Sequence, residues 1–205
     1  NSEYPAVRPV RPGPAGIRTD CNQSPNNNAG SRREVFLMDV MEAIKTRSSV
    51  RTFSGEKVSD DELEKILEAG RAAPSGLNNQ PWRFATVRDR AMIDKISMSS
   101  HYGRVIKESD ALIAVFFNHE SGYNRDKDMH GIGACIQNMW LAAHSMGVGM
   151  CWVGEILKRR EEVEKALEVD KALELMAVLC LGRPAENQPE KKPRLPLEDL
   201  VVARF

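Results

Sequence analysis

The chain has 205 residues, and its 29 Lys and Arg residues balance its 29 Asp and Glu residues, so the formal net charge is zero. This balance argues against a protein that attracts nucleic acid or an anionic membrane through its overall charge. The longest apolar runs, such as ALIAVFF at 111–117, are too short to span a membrane as a helix. The length and a hydrophobic content of 41% predict one globular domain with appendages.

The composition changes near residue 37. Residues 1–37 are rich in proline, contain NNNAG at 26–30 and show almost no apolar periodicity. This pattern is typical of an extended arm. We therefore expect an N-terminal arm without chemistry over 1–37 and a packed domain over 38–205.

The first two predicted helices follow the arm. Val40, Met41 and Ile44 recur at helical spacing and predict a helix that ends near Arg47. SDDELEKILEAGRAA at 59–73 predicts a second helix, in which Ser59 and Glu62 form a capping box. Pro74 stops this helix because proline cannot continue it.

The rest of the domain is predicted to contain strands and helices that do not alternate strictly. Strands are predicted at 82–87, 110–117, 148–154 and 173–182, and helices at 90–96, 128–147 and 155–168. The helix at 128–147 is apolar on more than one face, so we expect it in the core or at a subunit interface. LEDLVVARF at 197–205 is predicted to be extended. This order, without strict strand–helix–strand alternation, predicts an α+β layered domain.

The cysteines and histidines suggest no metal or disulfide chemistry. Cys21, Cys135, Cys151 and Cys180 are scattered, without a C-x-x-C pair or a histidine at zinc-ligand spacing. Scattered cysteines favour a reducing compartment, and the first residues show no secretory-signal pattern. We therefore expect a cytoplasmic protein without a metal, and we interpret His144 as a satisfied core or interface residue.

KTRSSVRTF at 45–53 is the first candidate binding segment. Arg47 and Arg51 are four residues apart around Ser48 and Ser49. A guanidinium group can donate two parallel hydrogen bonds to two phosphate oxygens. Hydroxyl and backbone N–H groups supply further donors. The segment predicts a phosphate site; the alternative is a solvated helix end whose cations favour the helix dipole.

APSGLNNQPWRF at 73–84 is the second candidate segment. Ser75, Asn78, Asn79 and Gln80 place several polar side chains immediately before Trp82. Amide groups offer a donor and an acceptor together, which matches the edge of a flavin or a nucleobase. The alternative is an ordinary turn shaped by Pro74 and Pro81. Beyond the last strand, cations at 183, 191, 192 and 194 predict by themselves only a solvated tail.

Together these segments resemble the flavin-dependent nitroreductase family. The resemblance lies in RSSVRTF, APSGLNNQPWRF, GIGACIQNMWLAAHSMGVGMCWVG, LCLGRPAE and KKPRLPLEDLV, which occur in the family's order and cover nearly all of 38–202. It implies an FMN-containing homodimer with an α/β sandwich, a mixed, mostly antiparallel sheet flanked by helices, and a C-terminal segment exchanged between subunits.

The resemblance also implies the residues of the site. The FMN phosphate and ribityl chain would be held by Arg47, Ser48, Ser49, Arg51, Lys192 and Arg194. The isoalloxazine would be lined, across the interface, by Pro74, Ser75, Asn78 and Gln80. Backbone N–H groups of Val153, Gly154 and Glu155 would lie near the reducible flavin nitrogen. Many relatives carry Arg or His at the position of Ser48, which implies either a looser hold on the phosphate or compensation by Lys192 and Arg183.

The implied activity is hydride transfer from NADH or NADPH through FMN to a small aromatic or quinone-type acceptor, with both substrates alternating at one site. No catalytic side chain is expected, because the flavin carries the chemistry. Two alternatives stay open: a flavin- or nucleotide-binding sensor or carrier without turnover, and a nucleic-acid surface, against which the zero net charge argues. We interpret Tyr123, Asn124 and Arg125 as a surface loop, with a cap on the acceptor pocket as the alternative.

Overall fold

Four strands form one sheet in residues 38–205, the part of the chain that the computed structural model describes. The predicted arm at 1–37 lies outside these residues. The strands are β1 (Trp82–Val87), β2 (Ala111–Asn118), β3 (Gly149–Val153) and β4 (Leu173–Gly182), in the spatial order β1-β2-β4-β3. All three neighbouring pairs are antiparallel, and we find no parallel pair among the described strands.

Six α-helices surround the sheet in the described residues. They are α1 (Val40–Thr46), α2 (Asp60–Arg71), α3 (Arg90–Ser97), α4 (Gly103–Glu108), α5 (Arg125–Ser145) and α6 (Arg160–Ala166). No helix of residues 38–205 has both the length and the apolar character needed to cross a bilayer.

The two faces of the sheet carry separate cores because alternate residues of a strand point to opposite sides. In β2, Ile113, Val115 and Phe117 pack with α2 and α5 on one face, while Leu112, Ala114 and Phe116 pack with α3, α4 and α6 on the other. Every residue of β2 is buried as a result. This layering confirms the predicted α+β class.

Local signals account for most helix starts. The Ser59–Glu62 capping box of α2 is present as predicted. The α5 helix begins at Arg125, three residues before the predicted start, because the Asn124 side chain accepts a hydrogen bond from the Lys127 N–H at 3.1 Å. The helix predicted at 155–168 is divided into a 3-10 helix (Glu155–Arg159) and α6.

Three other details differ from the expectations. The sequence pattern did not indicate α4. The stretch 197–205, expected to be extended, opens with a 3-10 turn at Leu197–Asp199. In α1 only Ala43 is buried, whereas Val40, Met41 and Ile44 are 62%, 53% and 48% exposed, so the apolar face expected inside a packed domain lies on its surface. The C-terminal tail is also apolar and exposed at Leu195, Leu197, Leu200, Val202 and Phe205.

Candidate active site

A cluster of cations surrounds the end of α1. The Arg47 guanidinium carbon lies 4.2 Å from the ring centroid of Trp140, a residue of α5. Burial, and then the nearby charge of Arg194, lower the pKa of Arg47. Lys191 donates a hydrogen bond from Nζ to the Thr46 carbonyl oxygen. The C-terminal tail thus brings two cations to the C-terminal end of α1.

Arg47 lacks an anionic partner in this cluster. Its Nη1 is buried and has no acceptor among the described residues. A buried donor without an acceptor costs about 1–3 kcal/mol, and neighbouring cations add repulsion. The donor set therefore fits a group that brings several anionic oxygens, as a phosphate does.

The path of the chain explains how Arg47 is positioned. The α1 helix ends where Arg47 turns to extended backbone, and its N–H donates to the Ala43 carbonyl at 2.9 Å. The following segment runs along the sheet edge, where the Val50 N–H donates to the Met150 carbonyl of β3 at 3.0 Å. Ser48 and Ser49, both half-buried, lie on the connection between these two anchors.

The remaining predicted phosphate residues are more exposed. The N–H of Arg51 donates to the Gln188 side chain at 3.4 Å, and Gln188 Nε2 donates to the Thr52 carbonyl at 2.6 Å. The side chains of Arg51, Lys192 and Arg194 are exposed. These hydrogen bonds bring the 47–52 segment and the start of the tail together.

Arg183 does not join the cluster. Its Nη2 lies 2.7 and 2.9 Å from the two carboxylate oxygens of Glu62, and its Nη1 donates to the Met146 carbonyl at 3.2 Å. This side chain therefore ties the start of α2 to the end of α5. The expectation that Arg183 compensates for Ser48 in a phosphate site was wrong, because Glu62 and the Met146 carbonyl hold its guanidinium at the start of α2.

Two α5 residues in this cluster were absent from the sequence-based set. Trp140 stacks on Arg47, and the His144 Nε2 lies 2.8 Å from the Thr46 Oγ1. The Thr46 hydroxyl donates to the Glu42 carbonyl at 2.7 Å, so it accepts a hydrogen bond from His144. Burial, then the charges of Lys191 and Arg47, lower the pKa of His144. The i, i+4 spacing of Trp140 and His144 shows that they share a helix face. Nothing in the sequence shows that this face contacts Arg47.

The loop at 74–80 has an unusual backbone. It contains a 3-10 turn at Gly76–Asn78, and Leu77, Asn78 and Gln80 have φ angles of 55°, 54° and 46°. Residues other than glycine are uncommon in this left-handed region, and each costs on the order of 1–3 kcal/mol. The Gln80 N–H donates to Ser75 Oγ at 3.0 Å, which closes the loop. Strain of this kind concentrates at ligand sites, which argues against the ordinary-turn alternative.

One chain does not bring this loop to the cationic cluster. A Cβ atom added to Gly131 would lie 3.5 Å from the Pro74 carbonyl oxygen, so the loop packs near the start of α5. His144, thirteen residues further along the helix, packs on Thr46. At 1.5 Å per residue the two positions are roughly 20 Å apart. Trp140, which contacts Arg47, is nine residues from Gly131, so the two predicted halves of the flavin site contact different turns of α5, roughly 14–20 Å apart.

The third predicted segment follows β3. Val153 is buried, whereas Gly154 is exposed and precedes the 3-10 helix that begins at Glu155. The first N–H groups of a helix have no partner inside it. The carboxylate of Glu155 accepts hydrogen bonds from Ser100 Oγ at 2.9 Å and the His101 N–H at 3.2 Å, and the Ser100 contact lowers the pKa of Glu155. The Glu155 side chain is thus bound to the connection between α3 and α4 and does not cap the N–H groups at the start of its own helix.

The chain is similar to several known proteins. A model described as "Nitroreductase family" matches residues 44–104 and 98–183. A proposed NADH dehydrogenase/NAD(P)H nitroreductase of Methanothermobacter thermautotrophicus is 35% identical over 158 residues, or 75% of this chain and 82% of its own. An NAD(P)H-dependent FMN reductase of Bacillus subtilis is 28% identical over 184 residues, or 79% of this chain and 72% of its own.

A solved structure gives the same result. A proposed nitroreductase of Desulfovibrio desulfuricans, crystallised in complex with FMN, superposes with a TM-score of 0.77 at 40% identity. The match covers 81% of this chain and 96% of that protein. The chain therefore belongs to the nitroreductase family.

Proposed function

We propose that this protein is an NAD(P)H-dependent FMN oxidoreductase that reduces a small aromatic or quinone-type acceptor. The observation that carries the proposal is the buried Nη1 of Arg47, which has no acceptor among the described residues and lies among further cations. When bound, FMN supplies the hydride chemistry, taking two electrons from the nicotinamide and passing them to the acceptor. The protein binds and orients the reactants.

Arg47 is the central phosphate ligand in this proposal. Its stack on Trp140 holds the guanidinium plane, so the free edge can donate to phosphate oxygens. The supporting ligands are Ser48, Ser49, Arg51, Lys192 and Arg194. The negative charge of a bound phosphate would also offset the repulsion between Arg47 and Arg194.

The isoalloxazine ring is assigned to the strained loop and to the end of β3. Pro74, Ser75, Asn78 and Gln80 would line the ring, the last three with hydroxyl or amide groups. The backbone N–H groups of Val153, Gly154 and Glu155 would lie near the reducible nitrogen.

We assign the two halves of each site to two copies of the chain. The loop and the cationic cluster contact different turns of α5, roughly 14–20 Å apart, and the family resemblance assigns them to different subunits of one site. The apolar face of α1 and the apolar tail are exposed within the described residues, and exposed apolar patches of this kind mark interfaces. A homodimer in which the C-terminal segment embraces the partner covers both surfaces.

The location and the acceptor complete the proposal. Cys135, Cys151 and Cys180 are free thiols, which fits the reducing cytoplasm. An acceptor stacked on the flavin needs no acid–base pair from the protein, so planar nitroaromatics and quinones are the expected class.

The test is the visible absorption spectrum of the purified protein, incubated with FMN, desalted, and then treated anaerobically with NADH or NADPH. A retained flavin band that bleaches with one donor supports the proposal and names that donor. A retained band that neither donor bleaches would indicate a flavin carrier or sensor. A protein that retains no FMN would overturn the proposal.

A further inference from the structure

Asp128 is a buried carboxylate that joins the strained loop to the start of α5. Its side chain belongs to the first turns of the helix, and the residue is only 1% exposed. Its Oδ2 accepts hydrogen bonds from the N–H groups of Tyr123 and Asn124, each at 3.0 Å. Its Oδ1 accepts a hydrogen bond from Asn79 Nδ2 at 2.7 Å. Asp128 therefore contacts two segments that are far apart in sequence.

No cation compensates this charge. Within residues 38–205, Asp128 forms no ion pair with Lys, Arg or His. Three N–H donors and the positive end of the α5 dipole are its stabilising partners. A buried carboxylate is costly when a donor is lost, so the contact with Asn79 resists breaking.

Asn79 transmits this contact to the backbone of the loop. Its Nδ2 also donates to the Ser121 carbonyl at 2.9 Å. A flipped amide would direct Oδ1 at two acceptors, so the orientation of the side chain is set even though Oδ1 itself has no donor among the described residues. Asn79 lies between Asn78 and Gln80, both with positive φ. Holding its side chain therefore restrains the peptide groups on both sides.

Two further contacts join the same segments. Arg83 Nη1 donates to the Gln80 carbonyl at 3.1 Å, and its Nη2 donates to Ser121 Oγ at 3.1 Å. A side chain at Gly76 would clash with the Tyr123 ring, so the loop packs directly against that tyrosine. These contacts lie on the surface, whereas the Asp128 carboxylate is the buried one.

We propose that Asp128 is a positioning residue that, through the side-chain amide of Asn79, holds the 74–80 loop in its left-handed conformation before the flavin binds. Left-handed conformations outside glycine persist only where the surroundings over-determine them. Asp128 thus supplies preorganisation without touching the ligand. The inference rests on the proposed function only for the identity of the loop's ligand.

The first experiment measures amide hydrogen exchange in the loop of the full-length protein, with and without FMN. In Asp128→Asn, one side-chain oxygen still accepts from Tyr123 and Asn124, but an NH2 group now faces the Asn79 NH2. We expect loop amides to exchange about tenfold faster or more. The matched control is Asp126→Asn, an exposed acid of the same first turn, which should leave loop exchange unchanged. Unchanged exchange in Asp128→Asn would overturn the inference even if the protein bound no flavin.

The second experiment measures FMN and riboflavin affinity. Because the loop faces the ring rather than the phosphate, Asp128→Asn should weaken both ligands by the same factor, about tenfold. Asn79→Ala should match this loss, and Asp128→Asn added to Asn79→Ala should cause no further loss, since Asp128 acts through Asn79. If the wild type binds FMN, two outcomes would contradict the inference and leave the proposed function intact. One is that both single variants keep full affinity, and the other is that the losses in the double variant are additive. Asn79→Ala keeps the test possible if Asp128→Asn fails to fold.

Discussion

The guanidinium group of Arg47 stacks on the indole ring of Trp140, with 4.2 Å between the guanidinium carbon and the ring centroid. The guanidinium lies over the ring, while its Nη1 has no acceptor among the described residues. An anion with more than one oxygen suits this group, because Arg presents parallel donors. The contact thus relates an aromatic residue of the central helix to the predicted phosphate site.

The first prediction follows from this contact. Arg47→Ala should weaken FMN binding by roughly tenfold to a hundredfold, the equivalent of about 1.5–3 kcal/mol for a charge-assisted contact. Riboflavin, which lacks the phosphate, should bind the variant and the wild type equally. Flavin fluorescence titration measures both. Arg71→Ala, an exposed arginine paired with Glu68, is the control; an unchanged FMN affinity in Arg47→Ala would show that the phosphate lies elsewhere.

The second prediction concerns His144 and acid. Burial and the charges of Lys191 and Arg47 hold the pKa of His144 below its ordinary value, against the smaller opposing effect of Glu42. The unfolded chain then binds more protons than the folded protein once the pH falls to about 6.5, so stability decreases on acidification below that pH. Unfolding free energies of the flavin-free protein between pH 8 and 5 should show this decrease.

His144→Gln removes the titrating group and should flatten that part of the profile. Bound FMN should flatten it as well, because phosphate oxygens offset the cations around the imidazole. Parallel profiles for the wild type and His144→Gln would contradict this account.

The third prediction concerns the pair formed by Glu62 and Arg183. Burial raises the pKa of Glu62, but hydrogen bonds from Ser59 and Arg183 outweigh it and leave the pKa below its ordinary value. Stability from this pair is present above the unfolded pKa of about 4.3 and is lost as the pH falls through the lower folded value. Glu62→Gln should reduce the free energy of unfolding in urea at neutral pH by about 1–2 kcal/mol.

Glu68→Gln is the matched control for this pair. Glu68 bonds to Arg71 on the same helix but is exposed, so its removal should have little effect at any pH. An equal loss of stability in the two variants would mean that the Glu62–Arg183 pair contributes no more to the free energy of unfolding than an exposed ion pair does.

The fourth prediction tests the dimer. Met41→Glu combined with Ile44→Glu places charges on the exposed face of α1 and should convert a dimer to a monomer in analytical ultracentrifugation, with loss of bound FMN. Removing residues 196–205 should act in the same direction. Met98→Glu alters an apolar residue that is 70% exposed at the end of α3, on the other side of the sheet, and should leave the assembly intact. A dimer that survives both changes would exclude this interface.

Much of the fold could be predicted because its signals are local. The strand at 82–87 and the capping box of Ser59 and Glu62 depend on residues within one element. The start of α5 was harder to predict, since it depends on Asn124 in a segment without periodicity. The exposure of Met41 and Ile44 could not be predicted, because periodicity defines an apolar face without showing what covers it.

Parts of the candidate site could likewise be predicted from the sequence, and other parts could not. The types and order of residues in RSSVRTF and APSGLNNQPWRF pointed to a phosphate and a planar ring, because donor chemistry belongs to each residue wherever the chain places it. The stack of Arg47 on Trp140, the diversion of Arg183 to Glu62 and the burial of Asp128 beside Asn79 join residues that are distant along the chain. Only the packing of α5 against its neighbours decides such contacts, because their geometry depends on helix position and burial rather than on spacing in the sequence.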